Sequence, residues 1–312
     1  IRNRRKQKRY RKFLRTGFGK TLEVIRETIE NNPAPYKVKP AGTRGRPPTS
    51  PKDVICFLIL RAIFCWSYDS VYSFLLASPF ISSALGMTKI PAPSTVQGLV
   101  SKVPVGYMDM LIRDLARRIR RKKWNTACDG TGISTKKYKR WIDVRTKTEE
   151  EKKEFIKLHG MIVTLAQYPF FISATVTSGT QHDSPELKTL LKKREKSVPL
   201  GNVTLDKGYC SRENAQAVTN DGGTPVIDLK KNVTAKSKGF PAWNKMVHAK
   251  EQDGVSWKNK YRRRAVIEGV IGAFKERFGD DVRSKIRHNQ IIEILVRLVV
   301  WNGVSVAYHC YF

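Results

Sequence analysis

Acidic side chains are scarce in this chain of 312 residues, which carries 27 Asp and Glu against 59 Lys and Arg. The resulting formal net charge of +32 is larger than solubility requires, and it is spread through the chain. Such a charge indicates a polyanionic partner, and nucleic acid is the commonest large polyanion. The length allows one large domain with a smaller helical domain before it.

The sequence also lacks an uninterrupted apolar run of transmembrane length. The first candidate, residues 54–66, contains Arg61. The second, residues 291–308, contains Glu293 and Arg297. Both therefore predict buried core helices instead of membrane spans. Because nothing resembles a signal peptide either, we expect a cytoplasmic protein that is not attached to a membrane.

Cysteine is sparse, and its pattern argues against two kinds of site. The five cysteines are an odd number and include no C-x-x-C pair, so neither a zinc site nor a disulfide framework is supported. Reduced, buried thiols are expected. The five histidines are scattered, and none of them is predicted to bind a metal. The cysteines are Cys56, Cys65, Cys128, Cys210 and Cys310.

The most basic segment of the chain is residues 1–49. Fifteen Lys and Arg stand against three Glu in the first fifty residues, and five prolines prevent a continuous helix after Glu30. We predict a flexible, solvated arm. It would contact the backbone of DNA and add affinity without sequence information.

Residues 50–123 change to short apolar helices. Ser50 followed by Pro51 predicts the start of a helix that runs to Trp66. Further helices are predicted over 68–77, from Ser94 and over 107–123. Several short helices with a basic edge suit a helix-turn-helix-like DNA-binding domain. A helical bundle that only supports the next domain fits the same pattern, and both alternatives stay open.

From Trp124 onward the pattern predicts strands alternating with helices. Residues 125–134 form a predicted strand with an Asp beside glycines, and residues 158–165 and 170–176 form a predicted β-hairpin. The other predicted elements are strands over 141–144, 202–206 and 224–229, helices over 184–193 and from Ser211, and a polar spacer over 230–260.

The stretch with the clearest pattern is residues 261–278, whose apolar residues recur every three or four positions and predict a helix with one buried side. On this helix Tyr261, Arg264, Glu268 and Lys275 fall within roughly 60° of one another, on a stripe beside the apolar face. Taken alone, Arg264 and Glu268 are an ordinary surface ion pair worth about 0.3–0.5 kcal/mol. The pattern in the rest of the chain argues against this ordinary role for the pair.

Three carboxylates stand at comparable places in this pattern. Asp129 lies on the first predicted strand, Asp206 at the end of a later strand, and Glu268 on the helix. An Asp before a Gly is by itself a common turn residue. If the three converge at one sheet edge, they bind hard divalent cations through oxygen. Two such ions, roughly 3.5–4 Å apart, activate a water or a 3′-hydroxyl during attack on a phosphodiester.

The helical stretch also carries a known motif. Tyr261, Arg264, Glu268 and Lys275 match Y-x2-R-x3-E-x6-K without a gap. On this motif the chain resembles the insertion-sequence transposases of the DDE class, which carry it around the third acidic residue of their active site.

Upstream segments add to the resemblance. Residues 205–209, LDKGY, are similar to the family's D-x-G-Y motif, and residues 128–131, CDGT, to its first acidic motif. The segment from Leu158-His159-Gly160 through His182-Asp183-Ser184 also looks like the family. The resemblance covers roughly residues 124–312.

The resemblance implies an α/β catalytic domain over 124–312 with an RNase H-like fold. Its mixed five-stranded sheet has three antiparallel strands first and is flanked by helices. Asp129, Asp206 and Glu268 would be the catalytic, metal-binding triad. Mg2+ is the usual ion in the family, with Mn2+ as a common substitute, and two ions are expected.

The resemblance also implies a substrate and a pathway. Tyr261, Arg264 and Lys275 would hold the backbone of a transposon end near the scissile phosphate. Hydrolysis would cut the terminal inverted repeats, and the freed 3′-hydroxyl would attack target DNA. Double-stranded DNA is thus the expected partner, bound by a homodimer or larger assembly on the nucleoid.

Some relatives carry a large β-rich insertion before the Glu helix. Only about thirty residues separate Leu229 from Tyr261, too few for such a domain. Trp243 and Trp257 lie in this spacer, where aromatic side chains can stack on an extruded base. We predict that they anchor the spacer instead, and a hairpin pathway stays open.

Other functions fit the same residues. An RNase H-like endonuclease without strand transfer would use the same three carboxylates. A non-catalytic DNA-binding derivative would be favoured by loss of one of them, and all three are present. An inactive fragment whose chemistry is intact but whose DNA-binding arm is cut short is a further alternative.

Overall fold

The computed structural model describes residues 2–40, 47–135, 155–164 and 166–312. The chain divides into two compact units. A helical unit contains Ile1–Ile119 and Ser284–Phe312, and a sheet unit contains Arg120–Arg283. The short strand predicted over 141–144 lies outside the described residues.

The helical unit is built from segments at both ends of the chain. The hydroxyl of Ser50 accepts a hydrogen bond from the backbone N–H of Asp53, and Pro51 is the first helical residue, so the predicted helix start is confirmed. Numbered in chain order, its described helices are α1 (Arg2–Glu30), α2 (Pro51–Phe64), α3 (Tyr68–Ala77), α4 (Pro79–Ala84), α5 (Pro93–Leu99), α6 (Val105–Arg118) and α12 (Arg287–Tyr311).

Helix α12 forms the core of the helical unit. Leu298 and Val299 are fully buried because α1, α2 and α6 all pack against this helix. Gly303 allows α1 to approach closely, since a Cβ there would lie 2.8 Å from Cγ1 of Ile25. Helix α12 has the length and hydropathy of a membrane span, but 83% of its most apolar window is buried within the protein. The core helix predicted over 291–308 is confirmed.

The flexible arm predicted over 1–49 is wrong for residues 2–30. These residues form α1, in which Leu22, Ile25 and Ile29 are buried. Their spacing of three and four places them on one side of the helix, which packs against α12. The prediction that no helix continues past Glu30 is confirmed.

The predicted domain boundary also differs from the structure. Residues 284–312 were expected in the catalytic domain, but they belong to the helical unit. Helix α12 is apolar on several sides and needs neighbours on each of them, which a bundle of helices provides and a single sheet face does not.

The sheet unit contains a five-stranded mixed sheet in the order β3-β2-β1-β4-β5. Strand β2 is antiparallel to both β1 and β3, whereas β4 runs parallel to β1 and β5 runs parallel to β4. The predicted α/β class, mixed sheet and hairpin are confirmed. The strands are β1 (Trp124–Ser134), β2 (Phe155–Val163), β3 (Phe171–Ser178), β4 (Leu200–Leu205) and β5 (Thr224–Ile227), and the described helices are α7 (Asp183–Lys193), α8 (Arg212–Asn220), α9 (Pro241–Gln252), α10 (Gly254–Tyr261) and α11 (Ala265–Phe278).

Two predictions in the segment after β5 need correction. The polar spacer over 230–260 contains α9 and most of α10. The helix expected from Tyr261 is interrupted, because residues 262–264 form a 3-10 turn and α11 begins at Ala265. The tighter turn changes the positions of Tyr261 and Arg264 relative to Glu268 from those of an ideal α-helix.

Candidate active site

Asp129 lies on β1, the central strand of the sheet. Strand alternation places its side chain on the opposite face from Gly130. Asp129 Oδ1 accepts a 2.8 Å hydrogen bond from the backbone N–H of Gly130, which fixes one oxygen of the carboxylate. The side chain is 19% exposed, so the carboxylate is not fully closed off from solvent.

Asp206 follows β4 and reaches the same level of the sheet. Because Ala127 pairs with Thr204 in the parallel ladder, Asp129 and Asp206 each lie two residues further in the same direction. Asp206 caps a 3-10 turn, and its Oδ1 accepts a 2.9 Å hydrogen bond from the N–H of Gly208. Parallel pairing therefore brings the two aspartates to one end of neighbouring strands.

Helix α11 carries Glu268 to this end of the sheet. The edge of the Phe274 ring packs on Phe171 of β3, with ring centroids 6.1 Å apart. After the helix, two backbone hydrogen bonds join Ser134 of β1 to residues 280–282. These contacts hold α11 beside β1 while Glu268 stays 56% exposed. The predicted apolar face is confirmed, with Ile267, Val270, Phe274 and Phe278 buried.

Arg264 brings the three carboxylates around one point. Its Nη1 lies 2.5 Å from Glu268 Oε1. Its Nη2 lies 3.4 Å from Asp129 Oδ2 and 3.8 Å from Asp206 Oδ2. One guanidinium thus pairs with acidic side chains from β1, from the end of β4 and from α11. We call this group the Arg264 cluster.

The Arg264 cluster is dominated by negative charge. Burial raises the pKa of Asp129 above its ordinary value of 3.8, the Gly130 N–H and Arg264 lower it, and Asp206 and Asp183 raise it again. For Arg264, burial lowers the pKa, but Asp129 and its other neighbours outweigh burial and the pKa lies above its ordinary value. The site therefore favours binding of further positive charge.

Tyr261 and Lys275 differ in their relation to this cluster. Tyr261 ends α10, and burial followed by the charge of Asp228 raises the pKa of its phenol, with Asp206 and Glu268 adding to the effect. Lys275 is half-buried on α11, seven residues beyond Glu268, and is not one of the ion-pair partners of the Arg264 cluster.

Comparisons with known proteins decide the family. A family model described as a transposase DDE domain matches residues 120–302, which is more than half of the chain. The chain belongs to the DDE transposase family. No curated protein matches it.

One solved structure is similar to this transposase at low identity. It is described as a cryo-EM structure of the piggyBac transposase synaptic complex with hairpin DNA. The two chains are 10% identical, and the match covers 92% of this chain and 71% of that one with a TM-score of 0.45. A likeness of this size carries no argument about the site.

Transposases of the DDE class generally use divalent metal ions, and the Arg264 cluster fits such ions in its donor chemistry. All three acidic side chains offer carboxylate oxygens, which hard cations prefer, and they already surround one positive charge. Among the described residues, no group of three or more His, Cys, Asp or Glu has the spacing of a metal site. The guanidinium of Arg264 lies between the carboxylates that would hold the ions, Asp129, Asp206 and Glu268.

The two tryptophans of the segment before α11 are buried in the transposase. Trp243 is 3% exposed and donates its indole N–H to the carbonyl of Thr234 at 2.9 Å. Trp257 is 7% exposed. The prediction that both side chains anchor this segment is confirmed.

A second polar cluster lies on the other face of β1 and was not singled out from the sequence. Lys157 Nζ is 2.8 Å from Asp183 Oδ2, and His159 Nδ1 is 2.9 Å from Asp183 Oδ1. His159 and Asp183 lie in the segment that resembles the family, but the sequence pattern does not indicate that they meet Lys157. The pairing of β1 with β2 is what brings this group next to Gly130.

Proposed function

We propose that this transposase cuts the ends of a mobile DNA element by metal-dependent hydrolysis and joins the freed 3′-hydroxyl to target DNA. The observation that carries the proposal is the meeting of Asp129, Asp206 and Glu268 around one cationic group. The family match and the net charge of +32 support a polyanionic substrate with phosphodiester linkages.

The three carboxylates are assigned the role of metal ligands. Divalent ions, when bound, supply Lewis-acid activation of the attacking hydroxyl and stabilise the leaving oxygen. Water adds to phosphorus as the bond to the 3′-oxygen breaks, which leaves a 3′-hydroxyl and a 5′-phosphate. In joining, that 3′-hydroxyl attacks a target phosphodiester, and the displaced 3′-oxygen of the target takes up a proton.

Tyr261, Arg264 and Lys275 are assigned to the DNA backbone near the scissile phosphate. The forked N–H donors of Arg264, which pair with carboxylates in the absence of DNA, match a phosphate equally well. Arg264 therefore exchanges carboxylate partners for phosphate when DNA and metal bind. The positive charge of the metal ions then replaces that of Arg264 beside the carboxylates, so the negative charge of the Arg264 cluster stays compensated.

The partners follow from this chemistry. Paired ends of one element require a homodimer or larger assembly on double-stranded DNA, and the site of action is the nucleoid in the cytoplasm. The basic first half of α1 supplies contacts to the DNA backbone, which are independent of the DNA sequence.

The decisive experiment compares Glu268→Gln with the wild type on DNA that carries the terminal repeats. We expect Mg2+-dependent cleavage to fall at least about a hundredfold, because a carboxylate that holds the ion is lost, while duplex binding stays within about twofold. Glu276→Gln is the matched control, since it removes one exposed charge from the same helix outside the Arg264 cluster. Cleavage that survives Glu268→Gln would refute the assignment of Glu268.

Joining is tested separately from cutting. An RNase H-like nuclease would use the same carboxylates and stop after hydrolysis. Pre-cut end DNA with a free 3′-hydroxyl, mixed with target duplex and Mg2+, should give a joined product with wild type and none with Glu268→Gln. A wild-type enzyme that cuts but does not join is a nuclease of this fold instead.

A further inference from the structure

We infer that Asp183, held by Lys157 and His159, is a positioning residue for Asp129 and acts on it through Gly130. These three side chains are called the Asp183 cluster below. The inference rests on the proposed function, which makes Asp129 a metal ligand. It assigns a role to a group of charged side chains that lies outside the Arg264 cluster.

The sheet register places the Asp183 cluster directly behind Asp129. Gly130 pairs with His159, and Gly132 pairs with Lys157, in the antiparallel ladder between β1 and β2. Side chains of directly paired residues lie on the same face of a sheet, and successive residues of a strand alternate. Lys157 and His159 therefore lie on the face opposite to Asp129, against the bare backbone of Gly130.

Gly130 is in close contact with this cluster. A Cβ added to Gly130 would overlap Asp183 Oδ1 and would lie 2.9 Å from Cε of Lys157. The absence of a side chain is thus what allows a carboxylate to reach the backbone of β1 here. A shift of Asp183 would therefore displace the Gly130 peptide.

The Asp183 cluster holds its carboxylate from several directions. Lys157 Nζ lies 2.8 Å from one oxygen, and His159 Nδ1 lies 2.9 Å from the other. His159 is fully buried, and its Nε2 lies 2.8 Å from the hydroxyl of Thr177 on β3. Asp183 is also the first residue of α7, where a negative charge is favourable.

The charge state of Asp183 agrees with this geometry. Burial alone would raise the pKa of its carboxyl, but the close contacts with His159 and Lys157 outweigh burial and lower the pKa below its ordinary value. Asp183 is therefore ionised at neutral pH, and the cluster is a fixed ionic group instead of a set of independent surface charges.

The connection to Asp129 is one hydrogen bond long. The N–H of Gly130 donates to Asp129 Oδ1 at 2.8 Å, so the position of the Gly130 peptide sets the direction of that carboxylate. The Asp183 cluster fixes this peptide from behind. Partners that orient a metal ligand commonly contribute tenfold or more to metal affinity.

The test measures Mn2+ binding by the full chain without DNA, by isothermal titration. Asp129→Asn should abolish the strongest site, and Asp183→Asn, which keeps the shape and removes the charge, should weaken it about tenfold. Asp221→Asn is the control. Asp221 is a partly buried carboxylate of the same unit that pairs with Arg194, so its loss tests for general damage. It should leave Mn2+ affinity unchanged.

The outcomes separate this inference from the proposed function. If the wild-type protein has no Mn2+ site, or has one that Asp129→Asn does not remove, the proposed function itself is refuted. If Asp129→Asn removes the site while Asp183→Asn binds Mn2+ like the wild type, only the positioning role fails. Equal weakening by Asp183→Asn and Asp221→Asn would also overturn it, since it would show loss of stability alone.

Two substitutions of His159 distinguish positioning from packing. Asn places an amide N–H near the position of Nδ1, facing Asp183, whereas Gln places one near Nε2, facing Thr177. Positioning predicts that His159→Asn keeps more Mn2+ affinity than His159→Gln. Packing predicts the reverse order, because Asn is smaller and leaves the larger cavity.

Discussion

Arginine and carboxylate meet in both units of the transposase, in opposite proportions. In the helical unit a single Glu293 lies 2.8 Å from Arg297 and 3.7 Å from Arg61, with all three side chains at most 10% exposed. In the sheet unit a single Arg264 is shared by three acidic side chains. Cations are in excess in the buried cluster, and anions are in excess at the candidate active site.

The difference separates a structural cluster from one suited to binding. Glu293 also accepts hydrogen bonds from the N–H and the hydroxyl of Ser284, and Arg61 lies over the ring of Tyr68 at 4.5 Å. These contacts compensate a charge that is largely shielded from solvent. Arg264 cannot neutralise three carboxylates in the same way. In a chain with net charge +32, this local excess of negative charge supports the proposed cation site.

The largest expected effect is on the buried cluster. Glu293→Gln leaves two buried arginines without a counter-charge and should lower the free energy of unfolding by about 3–5 kcal/mol. Urea unfolding followed by circular dichroism measures the change. Glu213→Gln, which breaks the exposed pair with Lys188, should leave the midpoint unchanged. A loss below about 1 kcal/mol for Glu293→Gln would remove the contrast between the two clusters.

A smaller effect is expected at Arg264. Arg264→Met removes the one cation among the three carboxylates and should lower stability at pH 7 by about 1–2 kcal/mol, between the values for exposed and buried pairs. Mg2+ should raise the thermal midpoint of this variant more than that of the wild type, because the ion supplies the missing charge. An equal Mg2+ response in both proteins would argue against competition between Arg264 and metal.

The pH dependence of Arg264→Met has a defined sign. The pKa of Asp129 is raised in the folded protein, so its contribution to stability is present below about pH 3.8 and is lost as pH rises through the folded value. Arg264 lowers that pKa, whereas Asp206 and Asp183 raise it. Without Arg264 the loss between pH 4 and pH 7 should be larger than in the wild type. Thermal midpoints at both pH values measure it.

The smallest effect on stability is expected for Glu268→Gln. Glu268 is 56% exposed and makes an i,i+4 pair with Arg264, so the free energy of unfolding should change by less than about 0.5 kcal/mol. The same urea titration as for Glu293 measures it. A loss as large as that of Glu293→Gln would mean that Glu268 is chiefly structural.

The sequence predicts the elements that carry the candidate site residues better than it predicts which unit contains residues 284–312. The order of Asp129, Asp206 and Glu268 on strand, strand end and helix is readable because hydrophobic spacing reveals the elements that carry them. The central place of Arg264 is not readable, since the 3-10 turn over 262–264 departs from ideal helical spacing.

Long-range pairing explains the other gaps. The spacing within α12 predicts a buried helix, but which unit buries it depends on contacts with α1, α2 and α6, far away in sequence. Likewise, Lys157 and His159 of β2 meet Asp183 through the pairing of β2 with β3, and the register of β1 with β2 places this cluster beside Gly130. A local sequence pattern predicts neither of these two arrangements.

The place of α12 has a consequence for synthesis on the ribosome. Helices α1 to α6 are translated first, yet the helix that fills their core follows the entire sheet unit, more than 160 residues later. At a translation rate of about 5–20 residues per second, their apolar faces remain uncovered for on the order of ten to thirty seconds before that helix is made. The nascent chain must keep these faces from aggregating during the interval, while the sheet unit, a continuous segment, can fold as it emerges.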